Sequence, residues 1–149
     1  MPEPRDVAAA LLARDHASRS LGMELVDVGA GAAKVRMVVR SDMVNGHGVC
    51  HGGLIFTLAD SALAFACNGG NVNTLAAAAS IEFVRPARLG TELVATASAV
   101  HQRGRTGHYD VVVTGDDDEL IALFRARTRA TGGAVLDEAT VEGDTVDAP

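Results

Sequence analysis

The sequence has no tryptophan and only five aromatic residues, Phe56, Phe65, Phe83, Tyr109 and Phe124. With so few rings, the core has to be filled by Val, Leu, Ile and Ala. Cysteine is scarce as well. Cys50 and Cys67 do not make a disulfide framework, and their apolar or glycine-rich surroundings fit a reducing compartment. Positive charge is in deficit, with a formal net charge of −6, whereas nucleic-acid binders carry a basic balance or stripe. No stretch approaches the roughly 20 apolar residues needed to cross a bilayer. The N-terminal stretch shows no signal pattern, because its apolar run Val7 to Leu12 is short and flanked by acids and arginine. No internal repeat is evident. These absences point to a soluble, cytoplasmic chain with neither a nucleic-acid nor a membrane partner.

What is present is apolar material for one domain: 149 residues, 48% of them hydrophobic, suffice for a sizeable core. Val7, Leu11 and Leu12 recur at helical spacing among charged neighbours and predict an amphipathic helix over residues 5–18. Met23 to Val28 and Ala33 to Arg40 alternate as strands around the turn Gly29-Ala30-Gly31. A polar, glycine-bearing loop, Ser41 to His51, follows. From Gly52 to Asn68 the chain is apolar on nearly every side and reads as a buried helix, stopped at Asn68-Gly69-Gly70. Four β-rich runs come next: Leu75 to Val84, Glu92 to Gln102, Thr106 to Thr114 and Glu119 to Ala130. The last two are joined by a polar turn at Asp116-Asp117-Asp118. Residues 1–20 belong to the domain, 21–131 form its body, and 132–149 read as an acidic, disordered tail. One apolar helix followed by consecutive antiparallel strands is an α+β pattern, a curved sheet wrapped around the helix.

Asp60 is the only charge between Gly52 and Asn68. An isolated carboxylate in an apolar helix is expensive. Either it reaches a helix edge or caps a backbone group, or it is functional. At the start of the same helix, His51-Gly52-Gly53 would expose amides to an anion, and glycine lets a ligand come close. Such amides can hold a thioester carbonyl and its oxyanion, though a plain glycine turn reads the same way. Gly52 and Asp60 are eight positions apart, so on a helix they are separated by roughly 12 Å. One carbonyl carbon cannot contact both within a subunit. If both act on one substrate, they come from different subunits of a two-fold dimer. In the loop, Asn45 can fix a carbonyl or a water, or simply form an Asx turn with Gly46. His47 and His51 lack a third metal ligand at useful spacing, so no metal site is expected.

These residues resemble a known signature. The run from Asn45 to Asp60, NGHGVCHGGLIFTLAD, is similar to that of hotdog-fold thioesterases, and its continuation SALAFACN is closer to the phenylacetic acid degradation (PaaI) branch. Further matches are IEFVRP at residues 81–86, GRTGHYD at 104–110 and LFR at 123–125, so the resemblance spans residues 10–131. It implies a long helix wrapped by an antiparallel sheet, in dimers whose sheets join and which commonly pair into tetramers. It implies hydrolysis of acyl-CoA thioesters, typically arylacetyl-CoA, without a cofactor, in phenylacetate catabolism or CoA recycling. Asp60 takes the place of the family's nucleophile or general base, Gly52 that of the oxyanion amide, and Asn45 that of the residue polarising the carbonyl or holding water; His51 stands beside them. The hydroxyl that related aryl-CoA enzymes carry one turn after the carboxylate is here Ala64, and Ser61 points differently on the helix. Phe65 stands where hydratases of this fold place a histidine, which counts against hydratase chemistry.

For substrate contact, Gly53, Leu54 and Phe65 are candidates near the reacting group, and Leu58, Leu75 and Ala76 to Ala79 extend the expected acyl cavity. CoA phosphates require basic groups, and Arg85, Arg88, Arg103, Arg105 and Arg125 follow strand ends, where guanidinium forks match phosphate geometry. The alternative from another class is a hotdog module that binds or senses acyl-CoA without turnover; it would need no carboxylate in the helix.

Overall fold

The computed structural model describes residues 1–137. Helix α1 (Pro4–Arg14) and the short α2 (His16–Ser20) precede strands β1 (Glu24–Gly29) and β2 (Ala32–Val38). A 3₁₀ turn (Ser41–Met43) leads through the polar loop into helix α3 (Gly52–Cys67). Strands β3 (Val72–Phe83), β4 (Glu92–Arg103), β5 (Thr106–Thr114) and β6 (Leu120–Ala134) follow. The strands form one antiparallel sheet in the order β1-β2-β4-β5-β6-β3. Among the described residues, no helix is long and apolar enough to cross a membrane.

Strand periodicity decides which side chains meet α3. Val35 and Met37 of β2, Leu93, Ala95 and Ala97 of β4, Tyr109, Val111 and Val113 of β5, and Phe124 and Ala126 of β6 are all buried. Against them α3 presents Ile55, Leu58, Ala62, Leu63, Phe65 and Ala66. Each large aliphatic or aromatic side chain so buried contributes about 1.5–3 kcal/mol. The Phe56 and Phe124 rings meet edge to face, with centroids 5.1 Å apart. This is the α+β fold expected, a sheet wrapped around one long helix.

Three boundaries differ from expectation. The first helix does not run through to residue 18. It breaks at Asp15, which ends α1 and caps α2 by accepting a hydrogen bond from the Ser18 amide at 2.9 Å. Strand β3 begins at Val72 rather than Leu75, and β6 runs past Ala130 to Ala134. These two extensions are one event, because Val72 pairs with Ala134 and Thr74 with Ala130 across a bulge. Gly132 and Gly133 open the segment expected to be a tail, yet their positive φ (93° and 78°) carries the strand through that irregularity. The segment expected to be a tail therefore begins as strand, and residues 138–149 lie outside the described residues.

The sheet leaves two features uncovered. Strand β3 ends the strand order and, among the described residues, is hydrogen-bonded on one side only, and Ala76 to Ser80 are exposed. Helix α3, expected to be apolar and buried on nearly every side, has one stripe that the sheet does not reach, along Gly53, Thr57, Asp60, Ala64 and Cys67. Small side chains along that stripe hide it from a reading based on hydrophobicity alone.

Candidate active site

The start of α3 is fixed from both sides. The His51 amide donates to the Met43 carbonyl at 2.8 Å, and the Cys50 amide to the Ala87 carbonyl at 2.8 Å. His51 caps the helix by accepting the Gly53 N–H on its Nδ1 at 3.1 Å. In the neutral ring this leaves Nε2 as the N–H donor. Leu54 and Ile55 donate to the His51 carbonyl at 2.9 and 3.3 Å. Of the first-turn amides, only Gly52 N–H has no acceptor among the described residues. Gly53, a candidate for substrate contact, has its amide occupied by the cap. The Phe83 ring lies over Gly52, where an added Cβ would stand 3.0 Å from Cζ.

Asn45 sits in the loop that leads to this helix. Its Oδ1 accepts from the His47 and Val49 amides at 2.9 and 3.3 Å, so the Asx turn is formed. The turn consumes the carbonyl end of the carboxamide and leaves Nδ2, a donor, without a partner among the described residues. Both readings of Asn45 hold together: the loop uses its oxygen, and a substrate carbonyl can take its NH₂. Arg88 joins the same region through a bridge between Val49 and Arg88.

Asp60 lies two turns along α3, on the uncovered stripe. It is accessible along one side in the single chain, rather than enclosed as its apolar neighbours in sequence imply. No donor among the described residues hydrogen-bonds its carboxyl. Desolvation by the protein around its other sides pushes it above the usual carboxylate range, and the Asp15 carboxylate adds to the shift. Beyond Asp60 a cleft of about 470 Å³ opens, lined by Leu11, Arg14, Asp15, Ala64, Phe65, Asn68, Asn73, Thr74, Leu75 and Thr131. Of the residues expected to line an acyl cavity, Phe65 and Leu75 border this cleft, whereas Leu58 is fully buried in the core.

One helix thus carries an unpartnered donor and an unpartnered carboxylate roughly 12 Å apart. The structure groups Asn45, His51, Gly52 and Arg88 at one end, and Asp60 with Asp15 and Ala64 at the other. It does not gather the arginines. Arg85 is paired with Glu119 at 2.8 Å. Arg125 forks onto Asp110 at 2.6 and 2.9 Å on the sheet face away from α3. Arg105 is exposed in the β4–β5 turn, remote in sequence pairing from Arg88. Ser61, weighed as a substitute for the missing hydroxyl, is buried and bonded to Ser18 at 2.7 Å. Sequence reasoning missed Asp15, Ser18 and Phe83. Only the D-x-x-S spacing of a helix cap at Asp15 was visible, and nothing placed it beside Asp60.

The thioesterase superfamily model matches residues 47–122. The chain is 39% identical over 132 residues to the acyl-coenzyme A thioesterase PaaI of Escherichia coli, covering 89% of this chain and 94% of that one. It belongs to the hotdog-fold thioesterase superfamily, in the PaaI family. The solved structure of the E. coli PaaI protein from the phenylacetic acid degradation operon superposes with a TM-score of 0.87 at 38% identity, covering 88% of this chain and 95% of that chain. A Streptococcus mutans protein bound to acetyl CoA superposes with a TM-score of 0.73 at 26% identity, covering 75% and 90%. As a member of this family the chain is a thioester hydrolase, and the α3 residues are read in that light.

Proposed function

We propose that this protein hydrolyses arylacetyl-CoA thioesters to the free acid and CoA, at sites shared between two copies of the chain. The observation that carries the reading is the division of labour along α3: the free Gly52 amide and the unpaired Asp60 carboxyl are too far apart to serve one carbonyl within a subunit. A two-fold partner resolves this by bringing its own Gly52 to Asp60. The open edge of β3 supports that partner, since a long exposed edge strand otherwise invites uncontrolled pairing. Sheets joined edge to edge across β3 would also cover the exposed stripe of α3.

In this site the thioester carbonyl lies against the Gly52 N–H, with the Asn45 Nδ2 as a second donor. Both stabilise negative charge as it develops on the oxygen. Asp60 acts either by attacking the carbonyl carbon, giving an anhydride that water opens, or by taking a proton from the attacking water. In either case CoA leaves as the thiol. His51 serves by capping the helix, which keeps the Gly53 amide occupied and the Gly52 amide oriented. Arg88 and Arg105, which have no ion-pair partner among the described residues, are better placed to receive CoA phosphates than Arg85 and Arg125, which are engaged. The acetyl-CoA-bound relative supports CoA as the carrier. The cleft beside Phe65 and Leu75 has room for a ring, which supports the arylacetyl class.

Thiol release from a panel of acyl-CoAs tests the reaction, with phenylacetyl-CoA expected to be favoured over long straight-chain esters; the reverse order would remove the arylacetyl class. Complementation tests the sharing. Asp60→Asn and Gly52→Val chains, each inactive alone, are co-expressed. A shared site leaves one intact site in each mixed dimer, so about a quarter of wild-type activity returns on random pairing. A site confined to one chain returns none.

A further inference from the structure

We infer that Asp15 is a positioning residue for Asp60: a second carboxylate, held against α3 by Ser18 and Ser61 at the cleft beside Asp60, that acts on the catalytic one through its charge. The inference rests on the reading of Asp60 as the catalytic carboxylate.

The anchoring is unusually complete for a residue at a helix break. Asp15 Oδ1 accepts the Ser18 amide at 2.9 Å, and Oδ2 accepts the Ser18 hydroxyl at 2.6 Å. The Ser18 and Ser61 hydroxyls are 2.7 Å apart. An ionised carboxylate only accepts, so Ser18 must donate to Asp15 and accept from Ser61. The direction of the chain is thereby fixed: Ser61 to Ser18 to Asp15. It crosses from α3, at the residue directly after Asp60, to α2. Ser18 and Ser61 are only 1% and 8% exposed. Two hydroxyls buried in a helix contact stabilise less than two well-packed alanines unless every bond is made. Here they are made, and what they hold still is the Asp15 carboxylate, half-buried and lining the same cleft as Ala64, one turn beyond Asp60.

Among the described residues, no cationic side chain pairs with the Asp60 carboxyl. On α3, Cys67 is pushed up to about 12 and is neutral near pH 7. From β5, burial also raises Tyr109, which stays neutral. The strand positions turned to α3 are otherwise apolar, except for Thr128. From α1, Arg14 borders the cleft and keeps its positive charge, but its guanidinium donates to the Ala10 and Val135 carbonyls, both at 3.2 Å, and makes no ion pair with Asp60. Asp15 is thus the charged group that acts on Asp60, in the same direction as desolvation. A carboxylate with raised proton affinity is both a stronger base and a stronger nucleophile, so the effect serves either role of Asp60. It also offers a way for this chain to activate Asp60 without the hydroxyl that Ala64 lacks.

The test is a carbon NMR titration of the Asp60 carboxyl in the full chain, its resonance assigned by loss in Asp60→Asn. It is compared among wild type, Asp15→Asn and Asp15→Ser. Serine retains the helix cap and removes the charge, so it serves if the asparagine variant folds poorly. The expected result is a lower titration midpoint for Asp60 in both variants, with the acid limb of the kcat/KM profile moving to lower pH by the same amount. Ser61→Ala, which frees Asp15 from α3, should shift it the same way by less. The second subunit's contribution is common to all samples, so the difference isolates Asp15. An unchanged midpoint in folded Asp15 variants overturns the inference while leaving Asp60 catalytic. Loss of the catalytic reading itself would appear separately, as an active Asp60→Asn, and the titration would still report whether Asp15 acts on Asp60.

Discussion

The two ends of the site are built by different means. At the start of α3 the backbone does the work: every first-turn amide but one is satisfied locally, by His51 and its carbonyl, and the Gly52 N–H is left over. At Asp60 side chains from distant segments do the work, and they leave a carboxyl with no donor and a second carboxylate nearby. The first end is a helix terminus that any sequence with the right residues would form. The second exists only because α1 and α2 fold back onto α3. A local site is therefore rigid and neutral, whereas the tertiary site carries its charge at an energetic disadvantage.

Removing that charge gives the largest expected effect. Asp60→Asn should lower thiol release about 10³-fold or more. The sign of its effect on stability is opposite. Because the folded-state pKa of Asp60 is raised, the folded chain binds the proton more tightly than the unfolded chain. Stability therefore falls as pH rises from the unfolded to the folded pKa and stays lower above it. Asp60→Asn should consequently melt higher than wild type near pH 7, and the gain should vanish below about pH 4. Thermal melts across pH measure this. A variant that loses activity without gaining stability would mean that the carboxyl is compensated by a donor in the assembled protein.

The backbone end should be less sensitive. In Gly52→Ala the new Cβ meets the Phe83 ring at 3.0 Å, so the ring must give way or the amide must turn. Because Phe83 is half exposed, kcat is expected to fall about tenfold, less than the loss of a whole oxyanion donor. Gly52→Ala with Phe83→Ala should recover much of that loss, which a role for glycine in backbone flexibility alone would not allow. His51→Ala removes the cap and should cost about 1 kcal/mol of stability. It also frees the Gly53 amide to compete for the carbonyl, so KM and kcat should both change by a few fold in steady-state kinetics.

This contrast also governs what the sequence made legible. The helix terminus, the glycine pair and the single carboxylate lie on one helix, so spacing and helix geometry sufficed to separate Gly52 from Asp60 and to raise the expectation of two subunits. The order of helix and strands followed from periodicity for the same reason. What depended on remote segments was not legible. Asp15 looked like one more charge on an amphipathic helix. Gly132 and Gly133 looked like the end of the fold, because the pairing of Ala134 with Val72 beyond them requires a bulge that no local pattern announces. The arginines were grouped as following strand ends, but Arg125 lies within β6, and Arg88 and Arg105 flank opposite ends of β4.

The smallest expected effect concerns a polar group that belongs to neither end. Thr128 on β6 is 1% exposed, and its Oγ1 has no hydrogen-bond partner among the described residues. The Gly52 amide and the Asp60 carboxyl are also unpartnered, but both are accessible enough to meet a substrate; the Thr128 hydroxyl faces the space left by the missing side chain of Gly107, where a Cβ would come within 2.7 Å of it. Valine has nearly the same shape and no hydroxyl to desolvate, and its second methyl takes the place of Oγ1 in the space that a side chain at Gly107 would otherwise need. Thr128→Val should therefore raise stability by about 1 kcal/mol in denaturant unfolding and leave thiol release unchanged. If instead it lowers stability, the hydroxyl has a partner in the assembled protein, and burial without a donor or acceptor would no longer separate a structural orphan from the candidate site groups on α3.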